Sequence, residues 1–311
     1  SNSNNDSNKE PIDEVAVAAS YVSRARLLEL LNRHDDALSD LLAAKSKCPK
    51  DLHILIMTSG VHRNLDSFDN VVKQCSEILN YITEFEVILQ NDGESSPQLI
   101  QYGLNNRLDL LSYRHSSYML RAFAYRKQDY FEEAVEDYTN ALHLLLSDGA
   151  ALEMKYKQFL STSTDNNNNN TDNTSSSKDS NSNGFDVQSS ELRALNNRAY
   201  CLAKLQRYSE AIDDFSKAIT INDKKDLYFY VRGSSRSDSD DQEGAIEDYK
   251  LCIKLNPKNT NAYGNLAIAQ KELGEYQDAI NSFDKAINID PKHSNNLRMR
   301  GNVKHEIKDY K

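Results

Sequence analysis

Seven histidines, four cysteines and one acidic run are the residues of this sequence whose chemistry could support catalysis or metal binding. The histidines, at positions 34, 53, 62, 115, 143, 293 and 305, form no HExxH or HxxxH pair, so a helical metal site is not predicted. Cys48, Cys75, Cys201 and Cys252 form no CxxC pair, which argues against a zinc ribbon or a thioredoxin motif. We interpret them as reduced, mostly buried small hydrophobic residues of an intracellular protein.

The acidic run SDSDDQE at 237–243 is only faintly similar to a calcium loop, because it lacks the central Gly and the closing Glu at the required spacing. We interpret it as a turn between two helices, in which Asp240 or Asp241 caps the second helix. Its two serines are candidate phosphorylation sites, since acidic residues follow them. No GxSxG, Walker or GxGxxG motif occurs. We therefore predict a protein that is not an enzyme and has no metal or cofactor site.

Composition narrows the class of protein further. The 311 residues include 47 acidic and 37 basic side chains, for a net charge of -10, which argues against a nucleic-acid partner. No apolar run is long enough to span a bilayer, so no membrane association is predicted. The first ten residues lack the apolar core of a secretory signal. A cytoplasmic location is expected, with a cytoskeletal or ciliary location as the alternative.

The sequence repeats a pattern with a period of 34 residues. Three units follow one another without a gap, and three weaker units and one half unit share their pattern. They span 192–225, 226–259 and 260–293, then 18–51, 52–85 and 115–148, and finally 294–311. When positions in a unit are numbered from 1, a large residue stands at position 4 and a small one at position 8. Small, large and small residues follow at positions 20, 24 and 27 of five whole units, and the unit 52–85 has Val71, Cys75 and Ile78 there.

This spacing predicts two helices in each unit. Positions 4 and 8 lie one turn apart on the first helix, and positions 20, 24 and 27 share one face of the second. A large side chain one turn from a small one lets helices approach closely. Pro49, Pro257 and Pro291 follow the second helix and end it. One helix pair cannot bury both of its faces, so the units are expected to stack.

The pattern resembles the tetratricopeptide repeat (TPR) family, whose units are 34-residue helix–turn–helix motifs. The resemblance covers 192–293 most strongly, 18–51 and 115–148 well, and 52–85 moderately. It implies an all-α fold, an α-solenoid of antiparallel helix pairs wound into a right-handed superhelix. The function it implies is a non-catalytic scaffold or adaptor that binds a segment of a protein partner in a concave groove.

Two alternatives to the scaffold stay open. The chain stops inside a repeat at Lys311, so it could be the regulatory or targeting TPR module of a larger enzyme or of a chaperone-associated protein. It could instead be a structural component of a large assembly, such as a cilium, that uses the convex face. The open end at 294–311 also makes self-association an expectation to consider.

Two insertions interrupt the repeats. In 86–114, the pair Ser96-Pro97 and a following apolar stripe predict a long first helix from about 97 to 128. It would pair with a second helix that runs toward Leu89, as a hairpin that projects from the solenoid. The second insertion, 149–191, contains five consecutive Asn residues and is predicted to be disordered over 161–190.

These insertions predict the domain organisation. We expect a disordered tail at 1–10, an N-terminal TPR block at 11–160, a disordered Asn/Ser-rich loop at 161–190, and a C-terminal TPR block at 192–311. The C-terminal block contains the three consecutive units and the half unit.

The resemblance places the partner-binding groove on the first helix of each unit, at positions 2, 5, 6, 9 and 12. Polar and aromatic side chains dominate there, and Asn can both donate to and accept from a peptide backbone, while Tyr adds contact area with a polar tip. Ordinary solvated polarity is the alternative interpretation. The candidate groove residues are Arg193, Asn196, Asn197, Tyr200, Tyr230, Asn261, Asn265, Lys271, Arg298 and Asn302.

Family members that hold the acidic C-terminal tail of heat-shock chaperones use a carboxylate clamp of Lys, Arg and Asn. Here the corresponding positions carry residues such as Tyr200, Val231 and Asn261, which cannot neutralise a carboxylate. A chaperone tail is therefore not the expected partner.

Arginine recurs at position 7 of several units, and its stem is expected to pack between helices while its guanidinium bonds a neighbouring unit. A ligand-binding row is the alternative. These arginines are Arg24, Arg121, Arg198, Arg232 and Arg300.

Overall fold

The computed structural model describes residues 13–93, 96, 99, 104, 107–164 and 187–307. All regular elements in these ranges are α-helices, as the sequence predicts. The helices fall into two compact units of the fold, each larger than a 34-residue repeat unit. The first unit of the fold contains α1 (Glu14–Leu30), α2 (His34–Lys47), α3 (Leu52–Asn64), α4 (Phe68–Asp92), α5 (Arg107–Lys127) and α6 (Phe131–Thr164). The second contains α7 (Val187–Lys204), α8 (Tyr208–Ile221), α9 (Asp226–Asp238), α10 (Gln242–Leu255), α11 (Thr260–Glu272), α12 (Tyr276–Ile289) and α13 (Ser294–Glu306).

The chain divides into two compact units, 1–187 and 188–311. The predicted tail at 1–10 lies outside the described residues, and so does 165–186 of the predicted Asn/Ser-rich loop. The two ends of that loop are helical, because α6 continues to Thr164 and α7 begins at Val187.

Local signals set the helix ends. Asp13, Asp51 and Asn259 cap α1, α3 and α11 by accepting hydrogen bonds from first-turn N–H groups, which satisfies donors that have no partner inside the helix. In the acidic run, the cap is Asp241, whose Oδ1 accepts from the N–H of Gly244 at 3.0 Å. The helices α2, α10 and α12 end two residues before a proline, as predicted.

The core lies where the repeat predicts it. Positions 8, 20, 24 and 27 are buried in all six whole units; in the unit 260–293 they are Ala267, Ala279, Phe283 and Ala286, each 0% exposed. The small side chains let the two helices of a unit approach, and the aromatic ring fills the space between them. At position 8 of the unit 226–259 the fit is tight, since a Cβ on Gly233 would lie 3.0 Å from the Tyr249 ring.

The turn between the two helices adopts a left-handed backbone at position 15 of every whole unit. The residues are Asn32, Asp66, Asp129, Gln206, Asp240 and Gly274, with φ between 53° and 78°. Only Gly adopts this conformation without steric cost, so five of the six units tolerate backbone strain in order to close the turn.

The insertion at 86–114 differs from its prediction. The second helix, α4, extends to Asp92 as expected. Leu99 is helical but Leu104 is not, so the continuous helix expected from about 97 to 128 is interrupted before α5 begins at Arg107. Leu99 and Leu104 are buried against Leu55 and Phe85. Apolar burial holds Leu99 and Leu104 against the repeat core.

An ion pair between Arg at position 7 and Asp at position 23 joins the two helices of four units. In the unit 192–225, Arg198 Nε and Nη2 donate to the two carboxylate oxygens of Asp214, both at 2.7 Å. The other three bonds have the same fork geometry and join Arg24 to Asp40, Arg121 to Asp137, and Arg232 to Asp248. The hydrogen bonds from Arg24 lower the pKa of Asp40.

This geometry confirms that these arginines are structural and corrects their expected partner. The guanidinium bonds chiefly the second helix of its own unit, because sixteen residues separate positions 7 and 23 across the turn. Two of the arginines also reach the preceding unit, where Arg121 Nη1 donates to Ser76 and Arg232 Nη1 to Ser216. Arg300 bonds only backward among the described residues, to Asp284 of the preceding unit.

Replacing Arg198 with Leu should lower the free energy of unfolding by about 3 kcal/mol, because Asp214 would remain buried without its counter-charge. The double variant R198L/D214S should recover most of this loss. It installs the residues that the unit 260–293 carries at the same positions, Leu266 and Ser282. Urea denaturation followed by circular dichroism measures both values.

Arg207 provides the matched control, because its ion pair with Glu210 is largely exposed. The variant R207L should cost under about 1 kcal/mol. Equal losses for R198L and R207L, or no recovery in the double variant, would show that the buried ion pair does not stabilise the unit.

Replacing Gly274 with Ala should destabilise the protein by about 1 kcal/mol, since its φ of 78° is strained for any L side chain. Gly301 is the control: it lies inside α13, and a Cβ there would meet nothing within 4 Å. The variant G301A should stabilise by about 0.5 kcal/mol through helix propensity. Thermal unfolding of the two variants should shift Tm in opposite directions; shifts of the same sign would contradict this assignment.

Candidate functional site

The candidate groove residues lie on the first helices of the second unit of the fold. Arg193, Asn196, Asn197 and Tyr200 are on α7 and Tyr230 is on α9, while Asn261, Asn265 and Lys271 are on α11 and Arg298 and Asn302 are on α13. Adjacent first helices, α9 with α11 and α11 with α13, contact each other. These contacts place the candidates on α9, α11 and α13 along one series of neighbouring helices.

Two of the candidates bond each other across neighbouring units. Asn265 Nδ2 donates to the Tyr230 hydroxyl at 3.3 Å, and the Tyr230 ring packs against Tyr249 with the centroids 6.2 Å apart. Burial raises the pKa of Tyr230, so its hydroxyl stays protonated at neutral pH. This contact fixes an aromatic ring and an amide in one orientation between α9 and α11.

The α7 candidates present polar groups that are open to a ligand. Asn196 and Asn197 are half-buried, and their amides bond no group within the described part of the chain. Tyr200 is 42% exposed, with the Lys204 ammonium 5.5 Å from the centre of its ring. Arg193 Nη2 donates to Ser190 Oγ at 3.3 Å. This helix therefore offers two amides and one exposed aromatic ring.

The charged candidates on α11 and α13 are less available to bind a ligand, because other side chains already pair with them. Lys271 Nζ lies 3.1 Å from Glu306 and 3.6 Å from Glu272, and the hydrogen bond to Glu306 raises the pKa of Lys271. Its charge is therefore already neutralised locally. Arg298 Nη2 donates to Asn295 on its own helix at 2.8 Å, and Asn302 and Asn261 are exposed. The structure does not join these side chains to the Tyr230–Asn265 contact.

Sequence reasoning missed one residue between α11 and α13. Asn296, at position 3 of the last unit, is 3% exposed, and its Oδ1 lies 2.6 Å from where a Cβ on Gly264 would be. Its Nδ2 has no hydrogen-bond partner among the described residues. The sequence signal was Gly264 itself, because a helical Gly at a groove position leaves room for a neighbouring side chain.

The described residues hold no group of three or more His, Cys, Asp and Glu side chains placed to bind a metal ion. Burial raises the pKa of Cys75 to about 12 and that of Cys252 to about 11, so neither is a thiolate nucleophile at neutral pH. The prediction of mostly buried cysteines is confirmed: Cys75, Cys201 and Cys252 are buried and Cys48 is half-buried.

Within the described ranges, no helix combines the length and the apolar character that crossing a bilayer requires.

Comparison with known proteins identifies the repeats. Two family models, both described as tetratricopeptide repeat, match residues 192–225 and 260–293 and residues 115–144 and 228–259. These matches share the register of the 34-residue units that the sequence predicts. The search of curated proteins gave no match.

Solved structures share the fold. A tetratricopeptide repeat protein from Parabacteroides merdae is 14% identical, with a TM-score of 0.56, over 94% of this chain and 87% of that one. YrrB, described as a TPR protein with an unusual peptide-binding site, is 12% identical, with a TM-score of 0.54, over 84% of this chain and 97% of that one. At these identities the likeness concerns the fold alone. The register of the repeats, the helical fold and the two family models show that this chain belongs to the tetratricopeptide repeat family.

Proposed function

We propose that this protein is a non-catalytic scaffold or adaptor, and that it binds an extended segment of a partner protein along the first helices of its second unit. The observation that carries the proposal is the Asn265–Tyr230 hydrogen bond. It holds an aromatic surface and an amide in place before a ligand arrives. The partner segment alone then loses conformational entropy on binding.

The α7 side chains supply the complementary chemistry. Asn196 and Asn197 each offer a donor and an acceptor to a peptide backbone, and the exposed ring of Tyr200 offers contact area. A peptide ligand would be of the same broad class as the one named for YrrB.

The charges near the groove argue against an acidic chaperone tail. Such a ligand requires unpaired cations, yet Lys271 already pairs with Glu306 and Glu272, and Arg298 lies on α13 with its guanidinium bonded to Asn295. We therefore propose a partner segment that is recognised through its backbone and through apolar or aromatic side chains.

The organisation of the chain follows as part of the proposal. We propose that 11–160 and 192–311 are two TPR blocks joined by the Asn/Ser-rich segment, and that the protein acts in the cytoplasm.

The triple variant N197A/Y200A/N265A of the full chain should lose its partners in a pull-down read by mass spectrometry. The changes remove two amides and one ring from the groove and leave the helical core untouched. The sequence of each captured protein is then synthesised as overlapping peptides. One of these peptides should bind the parent at least tenfold more tightly than it binds the variant, because each contact removed contributes about 1 kcal/mol.

The matched control is E247A/L251A/K254A, which alters three exposed side chains of α10. This variant should retain every partner. Equal capture by the groove variant and the parent, with circular dichroism showing both helical, would rule out the groove as the binding surface.

A further inference from the structure

A solvent-open cavity of about 300 Å³ lies between α10, α11 and α12 in the second unit of the fold. None of the candidate groove residues lines it. On α11 its wall is formed by residues such as Leu266 and Gln270, which share a helix face distinct from that of Asn261 and Asn265. The cavity is therefore a separate feature from the proposed groove.

The repeat register explains why the cavity exists. In the units 115–148, 192–225 and 226–259, Arg at position 7 is largely buried between the helices and bonds Asp at position 23. In the unit 260–293 these positions carry Leu266 and Ser282, and both residues line the cavity. The volume is thus where a guanidinium group stands in the other units, and Leu is too short to fill it.

The charge of the cavity is also set by this register. Three position-7 arginines, Arg121, Arg232 and Arg300, donate to the residue at position 25 of the preceding unit. These acceptors are Ser76, Ser216 and Asp284. The cavity has Lys250 at that position, and Lys285 of α12 joins it. Both lysines are exposed, and neither forms an ion pair with any residue that the structure describes. One carboxylate, Asp278, lines the cavity against these two ammonium groups.

The floor of the cavity is polar and already satisfied. Ser282 Oγ donates to Gln270 Oε1 at 2.7 Å, and both side chains are buried. These two side chains therefore need no ligand to complete this hydrogen bond. The charge that lacks a counter-charge is the excess of positive charge at the rim.

We propose that this cavity is a second binding site, which takes an acidic side chain of a partner protein. A Glu carboxylate can accept hydrogen bonds from both lysine ammonium groups and enter a space that another unit fills with a guanidinium. A basic side chain would be repelled by Lys250 and Lys285. It would also find Ser282 at position 23, where other units provide the Asp that bonds a guanidinium. The protein thereby contacts its partner at two independent places, the groove and this cavity.

The test uses the full chain and fluorescein-labelled hexaglutamate, with binding followed by fluorescence anisotropy at low ionic strength. The parent should bind this probe and should not bind labelled hexaglutamine. The variant L266R/S282D restores the ion pair of the other units and leaves the net charge unchanged, and it should lose binding because the cavity is filled. Replacing both rim lysines, in K250S/K285S, should weaken binding about tenfold.

The matched control is K254S/K258S, which removes two exposed lysines that do not line the cavity. It should bind within about twofold of the parent, since screened charges outside the site contribute little. The groove variant N197A/Y200A/N265A should bind hexaglutamate as the parent does, so failure of this proposal is distinguishable from failure of the proposed groove.

Several outcomes would overturn the proposal: no binding by the parent, equal binding of hexaglutamine, equal binding by L266R/S282D, or equal weakening in the two lysine variants. If circular dichroism shows that L266R/S282D does not fold, the comparison of K250S/K285S with K254S/K258S decides the question.

Discussion

Close approach of helices at small side chains is the constraint on which the rest of this structure depends. Ala267 and Ala279 are fully buried where two helices of one unit meet, and the ring of Phe283 fills the space beside them. Because the same positions are buried in every whole unit, the stacked units hold their first helices next to one another. The side chains on their outer face are positioned by this packing rather than by loops.

The Arg–Asp ion pair adds specificity to this packing. Its carboxylate is almost fully buried in each of the four units that carry it, so either partner alone would be costly. The two units without Arg at position 7 also lack Asp at position 23, since they carry Thr58 with Gln74 and Leu266 with Ser282. The pair is thus present or absent as a whole, which is the pattern expected of a buried charge that needs its counter-charge.

The unit without the ion pair contains the cavity that we propose as a second binding site. Where Leu266 stands in place of Arg, the small residues Ala267 and Ala279 are still fully buried, and an open volume with lysines at its rim lies beside Leu266. In the proposed groove, the Tyr230–Asn265 contact joins the neighbouring first helices α9 and α11. Under the two proposals, one repeat architecture presents two chemically different surfaces, one for a peptide backbone and one for a carboxylate.

The sequence by itself determined the fold class, the register of the repeats and the buried positions, because these depend on short-range periodicity and on side-chain size. It also narrowed the cap of α10 to Asp240 or Asp241 and located the ends of α2, α10 and α12, which are local signals. Only the tertiary structure decided which Asp each Arg would bond, that Lys271 is neutralised by Glu306, that Leu104 interrupts the helix expected from 97, and that a cavity opens at Leu266. Each of these depends on contacts between residues distant in the chain, which local spacing does not encode.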